Sequence, residues 1–289
     1  MKRREFCMTA TAALAACAAP ANKEAIQAID CHAHVFTQGL KLANERRYAP
    51  NYDATIAQYL AMLDANGASH GVLVQPSFLG TDNSYMIEAL RTAPRRLKGI
   101  AVVEPGIEPE ELRALADAGI VGLRLNLIGR PDPDFGQPVW RRHLDRVAAL
   151  GWQIEVQAEA RRQVTLLPRL VEAGVTAVAD HFGLPDKVQG IDDPAYRALL
   201  DLAKSGRIWV KLSGAYRNAP GIAEKAAPLL LAAFGPGRLV WGSDWPHTSF
   251  EKKASVAEAR RGLEAWVPDA KARNIVLTSA PAELFRFTG

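Results

Sequence analysis

From residue 26 onward, short apolar runs rich in Val, Ile and Leu alternate with longer stretches whose apolar positions recur every three or four residues. The short runs read as strands, at 26–31, 71–75, 99–103, 122–126, 153–157, 177–181, 208–212 and 239–243. The longer stretches read as amphipathic helices, among them 54–66, 109–118, 161–173, 195–204 and 222–234, and two more close the chain at 255–266 and 269–285. Gly67, Gly119, Gly151, Gly174, Gly206 and Gly235 each follow a helical stretch, where a left-handed residue commonly ends the helix. Helix, glycine, apolar strand, repeated, forces a parallel sheet, because each strand must be reached by a crossover. An open doubly wound sheet shares this alternation, but no Gly-x-Gly-x-x-Gly follows the first strand. Eight units with polar residues at so many strand ends favour an α/β fold of the closed (β/α)8, or TIM-barrel, type. No linker or change of composition divides residues 21–289, which are expected to form one domain.

Composition narrows the function classes. The 289 residues are 48% hydrophobic and 23% charged, ordinary for a globular chain. Lys2, Arg3 and Arg4 against Glu5 account for half of the formal net charge of +4, and no long basic run occurs elsewhere. Nucleic-acid binding, which needs a clustered basic face, is not indicated. Residues 1–20 read as a targeting segment: a twin arginine, Arg3-Arg4, precedes a mildly apolar stretch from Cys7 to Ala16. Ten residues of helix reach only ~15 Å, too short to cross a bilayer. The segment therefore predicts twin-arginine export to the periplasm, and Leu14-Ala15-Ala16-Cys17 has the form of a lipoprotein box that would anchor the chain through a lipidated Cys17. Cleavage near Cys17 or Ala21 leaves Cys31 as the one thiol of the folded domain, so no disulfide framework is expected.

In a barrel of this kind the chemistry sits at the C-terminal ends of the strands. Those ends carry His32 and His34, Gln75 and Ser77, Glu104, Arg124 and Asn126, Gln157 and Glu159, Asp180 and His181, Lys211 and Ser213, and finally Asp244, Trp245 and His247. Caps and turns alone account poorly for three histidines and an aspartate recurring there. His32 and His34, two apart on a strand, face the same way, which sends Cys31 to the opposite side, into the strand–helix layer. Asp244, emerging from the last strand opposite that pair, suits a general base or a metal ligand. His247 reads equally well as a site residue or as loop structure.

Four stretches together resemble the amidohydrolase-related lactonases of the amidohydrolase superfamily, most closely the pyrone-dicarboxylate branch. They are Ile29-Asp30-x-His32-x-His34-Val35-Phe36, Gln75-x-Ser77-x-x-Gly80-Thr81-Asp82-Asn83, Asp180-His181-x-Gly183-x-Pro185-Asp186 and Trp241-Gly242-x-Asp244-Trp245-Pro246-His247. The resemblance spans about residues 26–288. It implies a distorted (β/α)8 barrel that hydrolyses a cyclic ester, with Asp244 activating water. His32, His34 and His181 would surround the lactone carbonyl, as donors or through a metal. It places Arg124, Arg130 and Arg217 on substrate carboxylates, which a planar guanidinium binds bidentately, and Ser77 and Tyr48 at substrate-contact positions. The arginines point to a carboxylated lactone such as a pyrone dicarboxylate. Gln157, a further substrate-binding candidate that can donate a hydrogen bond, stands where the family has tyrosine, which admits a sugar-acid lactone as well. Arg124 stands where binuclear members carry a metal-bridging lysine, which argues against two metals. Either no cofactor or one divalent ion, Zn or Mn, on His32, His34, His181 and Asp244 is expected. Two alternatives share these features: a metal-dependent decarboxylase of the same superfamily, and a non-catalytic periplasmic protein that captures organic acids.

Overall fold

A computed structural model describes residues 25–288, and in it eight strands alternate with ten α-helices. The order is β1 (Ile29–Ala33), α1 (Ile56–Ala65), β2 (His70–Val74), α2 (Ser84–Thr92), β3 (Leu97–Ala101), α3 (Pro109–Asp117), β4 (Ile120–Asn126) and α4 (Pro138–Ala149). There follow β5 (Gln153–Gln157), α5 (Ala160–Glu172), β6 (Thr176–Ala179), α6 (Pro194–Asp201), β7 (Ile208–Ser213), α7 (Ile222–Phe234), β8 (Leu239–Gly242), α8 (Val256–Trp266), α9 (Ala270–Leu277) and α10 (Ser279–Phe285). All neighbouring strands pair in parallel, in sequence order from β1 to β8. The segments read as export signal and lipoprotein box, with Cys7 and Cys17, lie outside the described residues. Among the described residues no helix is long and apolar enough to cross a membrane.

The last seam closes by an unusual route. β1 and β8 meet just past the end of β8, where the Asp244 amide donates to His32 O at 2.8 Å and the His34 amide to Trp245 O at 2.8 Å. Below these bonds the buried Asp30 carboxylate accepts from the Ser243 amide at 2.7 Å and from Ser243 Oγ at 2.6 Å. Gly242 is obligatory at this crossing: a Cβ there would lie 2.6 Å from His32 Cβ.

β1 is itself irregular. Its register against β2 shifts between Asp30 and Ala33. Asp30 reaches Tyr59 of α1, and Ala33 packs in the layer between strands and helices. Cys31 and His32, although adjacent, both face the barrel interior, as a bulge allows. Cys31 therefore does not enter the strand–helix layer. It is buried with Ile29, Val72, Val74 and Trp209 in an inner cluster that Leu284 and Phe285 of α10 complete.

Two expected elements end earlier. β6 stops at Ala179, so Asp180 and His181 belong to the following turn, where His181 takes φ 51. The helix expected over 269–285 is two, broken at Thr278. Pro281 explains the break, since its ring would clash with the carbonyl of Leu277 if the first helix ran on.

Candidate active site

The strand ends bring His32, His34, His181 and Asp244 into one buried group. The ring of His32 lies 5.0 Å from that of His34 and 4.8 Å from that of His181. Asp244 Oδ1 is 3.9 Å from His32 Nε2 and 3.7 Å from His34 Nε2. His34 Nδ1 is fixed at 2.7 Å from Val74 O, and His181 Nδ1 at 3.0 Å from Ser213 Oγ. Three of these polar residues hold left-handed backbone: His181, Asp244 (φ 59) and His247 (φ 63). Side-chain-bearing residues seldom adopt it, and it persists where the surroundings fix it. Gly214 leaves the room they need, since a Cβ there would sit 2.7 Å from Asp244 Oδ2 and 2.8 Å from His181 Nδ1.

Charge is arranged around this group. Arg217 binds both oxygens of Asp244, Nε to Oδ2 at 2.5 Å and Nη2 to Oδ1 at 3.2 Å, and the Tyr216 hydroxyl donates to Oδ2 at 2.7 Å. Burial alone would raise the Asp244 carboxyl, but the Arg217 guanidinium and His181 hold it well below the usual carboxylate range. Burial pushes His34 down to about 3, with Arg124 adding to the effect, and His181 down to about 4 against the pull of Asp244. Burial and Lys211 likewise keep His32 far below its ordinary value. All three imidazoles are neutral near pH 7. Below them Lys211, fully buried on β7, pairs with Glu155 of β5 at 2.6 Å and lies 3.6 Å from Asp180. Burial raises Glu155 to about 7 in spite of that lysine.

The expected substrate residues are placed more variously. Arg124 is buried, with Nη1 donating to Gln75 O at 3.2 Å and Nη2 to Gln157 Oε1 at 2.6 Å. The glutamine that departs from the family pattern thus holds an arginine that the pattern assigns to substrate. Arg130 is exposed and donates to Glu45 O at 2.9 Å, lining with Ser77 and Asn126 a cavity of about 470 Å³. Arg217 lines a second cavity of about 410 Å³ with Gln157, Arg47, Arg161 and Lys187. Tyr48 packs its ring 5.4 Å from Phe78, and His247 is buried 5.8 Å from the Tyr216 ring. Sequence reasoning missed Tyr216 and the Lys211–Glu155 pair. A signal for the pair existed: each charge lies two residues before a strand-end polar residue, Ser213 or Gln157, on the same face of its strand.

Ligand atoms of His32, His181 and Asp244 lie within 4.8 Å of one another, close enough to share an ion. Yet Arg217 and Tyr216 engage both Asp244 oxygens, and the Lys211 ammonium abuts His32 Nδ1 at 3.1 Å. Both cations are matched by carboxylates, Arg217 by Asp244 and Lys211 by Glu155 and Asp180, so the triad could hold a divalent ion only if Arg217 and Tyr216 gave up Asp244.

Comparison with known proteins agrees with this geometry. The chain is 31% identical to a 4-sulfomuconolactone hydrolase of Rhizobium radiobacter, over 89% of each chain. It is 30% identical to a 2-pyrone-4,6-dicarboxylate hydrolase of Comamonas testosteroni, over 78% of each. The solved structure of a probable 2-pyrone-4,6-dicarboxylic acid hydrolase from Acinetobacter baumannii, with citric acid bound, superposes with a TM-score of 0.87 at 42% identity, covering 91% of this chain and 100% of the other. The family model described as Amidohydrolase matches residues 29–287. With that match spanning the barrel from its first strand to the turn after its last helix, the chain belongs to the amidohydrolase family.

Proposed function

We propose that the protein is a lactone hydrolase whose substrates carry at least one carboxylate. The observation that carries this is an ionised carboxylate, Asp244, set against three neutral imidazoles and held by Arg217, which borders a cavity that Arg47, Arg161 and Lys187 share with Glu159, Asp186 and Asp193. In the substrate-free site Arg217 masks Asp244. A substrate carboxylate offers that guanidinium another partner, and Asp244, released from it, becomes a stronger base. It then takes a proton from water while the water oxygen bonds to the ring carbonyl carbon. The carbonyl electron pair moves onto oxygen, where imidazole N–H groups stabilise it. The intermediate collapses by breaking the bond to the ring oxygen, which receives the proton from Asp244. One water has been added and an open hydroxy or oxo acid results. The relatives' lactone substrates and the citrate held by one of them support this reading. The decarboxylase and binding-protein alternatives have no observation in their favour beyond the shared histidine pair and the arginines.

The test is kcat/KM for a carboxylated lactone and its methyl ester. Charge-assisted bonds of this kind are each worth roughly 1.5–3 kcal/mol, so the anion should be preferred by about 10–100-fold. Arg217→Met should erase most of that preference while turnover of the ester persists. Equal rates on the matched pair with the unaltered protein would overturn the carboxylate requirement.

The twin arginine and apolar stretch of residues 1–20 support a location outside the cytoplasm, with the mature chain beginning at Cys17, lipidated, or near Ala21. Fractionation with N-terminal mass spectrometry tests this, and an intact chain confined to the cytosol would refute it.

A further inference from the structure

The two histidines of the first motif look equivalent in the sequence, and the structure makes them opposites. His34 Nδ1 lies 2.7 Å from Val74 O. A carbonyl only accepts, so the hydrogen of neutral His34 is on Nδ1 and Nε2 keeps its lone pair. His32 Nδ1 lies 3.1 Å from Lys211 Nζ. An ammonium carries hydrogens and no lone pair, so here Nδ1 is the acceptor; Asp180 Oδ1 also faces Nδ1, but at 3.7 Å and with no hydrogen bond to it. The hydrogen of neutral His32 is therefore on Nε2, a buried atom with no hydrogen-bond partner among the described residues, 3.9 Å from Asp244 Oδ1.

Lys211 can impose this because its own place is fixed. It is fully buried, with Glu155 at 2.6 Å and Asp180 at 3.6 Å as its ion-pair partners. His32, Glu155 and Asp180 bring ligand atoms within 4.8 Å of one another, a grouping able to hold a cation. The chain's own ammonium meets all three.

We propose that Lys211 is a positioning residue that fixes His32 as the Nε2–H tautomer, so that the histidine pair presents one hydrogen-bond donor and one acceptor to the reacting atoms. His32 Nε2–H donates to the lactone carbonyl oxygen. His34 Nε2 accepts one hydrogen of the attacking water, whose other hydrogen goes to Asp244, 3.7 Å from it. The tautomers stand on geometry alone, whereas the division of roles rests on the lactone-hydrolase reading.

Long-range proton–nitrogen correlation spectra of the histidine rings read both tautomers without substrate, with His32→Gln and His34→Gln spectra for assignment. The resting enzyme should show His32 as Nε2–H and His34 as Nδ1–H. Lys211→Met alone strands Glu155, so the informative variant is Lys211→Met with Glu155→Gln, in which Asp180 keeps Arg124 at 3.6 Å. In that variant His32 should become a mixture of tautomers or switch to Nδ1–H. Its kcat should drop at least about tenfold with KM held within about threefold, the split expected for an interaction made in the transition state. His32 found as Nδ1–H in the unaltered enzyme would overturn the proposal. So would a variant with full kcat, or one with reduced kcat in which His32 remains Nε2–H. If the unaltered protein opens no lactone, the activity reading fails, and the ring spectra by themselves decide the tautomers.

Discussion

Asp244 is ionised at a cost that Arg217 offsets, and its replacement separates charge from shape. Asp244→Asn keeps nearly the same outline but cannot accept a proton from water. It should lower kcat by at least ~10²-fold while the fold is retained. Near-native turnover in this variant would remove Asp244 from the chemistry. His34 permits a test of burial by pH. In the folded chain it gains a proton only at about 3, against an ordinary value of 6.5. The depressed value costs nothing above about pH 6.5, where both states are neutral, and destabilises the folded chain increasingly as pH falls from there toward the folded value. Between pH 7 and pH 4 the unaltered protein should therefore lose on the order of 3 kcal/mol more stability than His34→Gln, read by denaturant titration. Parallel pH curves for the two proteins would contradict the assignment.

At the scale of elements, the bulge in β1 and the seam between β1 and β8 decide which side chains meet. Asp30 is central to the seam. Burial raises its carboxyl to about 6 even though Ser243 donates to it twice. Asp30→Ala would leave the Ser243 amide and hydroxyl buried without acceptors and should cost roughly 2–4 kcal/mol. Asp30→Asn, which retains one acceptor oxygen, should cost less, and urea unfolding of both variants checks the order. These features also mark the limit of what the sequence discloses. Apolar periodicity and glycine punctuation locate every strand to within a few residues, because they express local preferences of the chain. The placement of Cys31 failed because strict alternation cannot foresee an inserted residue. The split at Thr278 had a signal in Pro281 that the helical period over 269–285 overrode. Tyr216 escaped notice because it lies in a single 3-10 turn, Ala215–Arg217, too short for any period to mark which residues turn inward.

At the scale of the molecule, the histidines and Asp244 were legible as a group because strand ends converge on one face of any such barrel. The pairing of Arg217 with Asp244, and of Lys211 with His32, was not, since both depend on side-chain reach across the barrel. One architectural fact has a kinetic consequence. The bonds that close the cylinder are made by the amides of Asp244 and of His34, two of the four central residues of the candidate site. Those amides cannot open without parting the first strand from the last, so the site has no route of local fraying separate from loss of the whole. Their exchange with deuterated solvent should follow global unfolding, showing the same denaturant dependence as the slowest amides of β5. Loop amides at the cavity rim, such as those near Lys187, should exchange far sooner. Fast, denaturant-independent exchange at Asp244 and His34 would show instead that the seam breathes while the rest of the barrel stands.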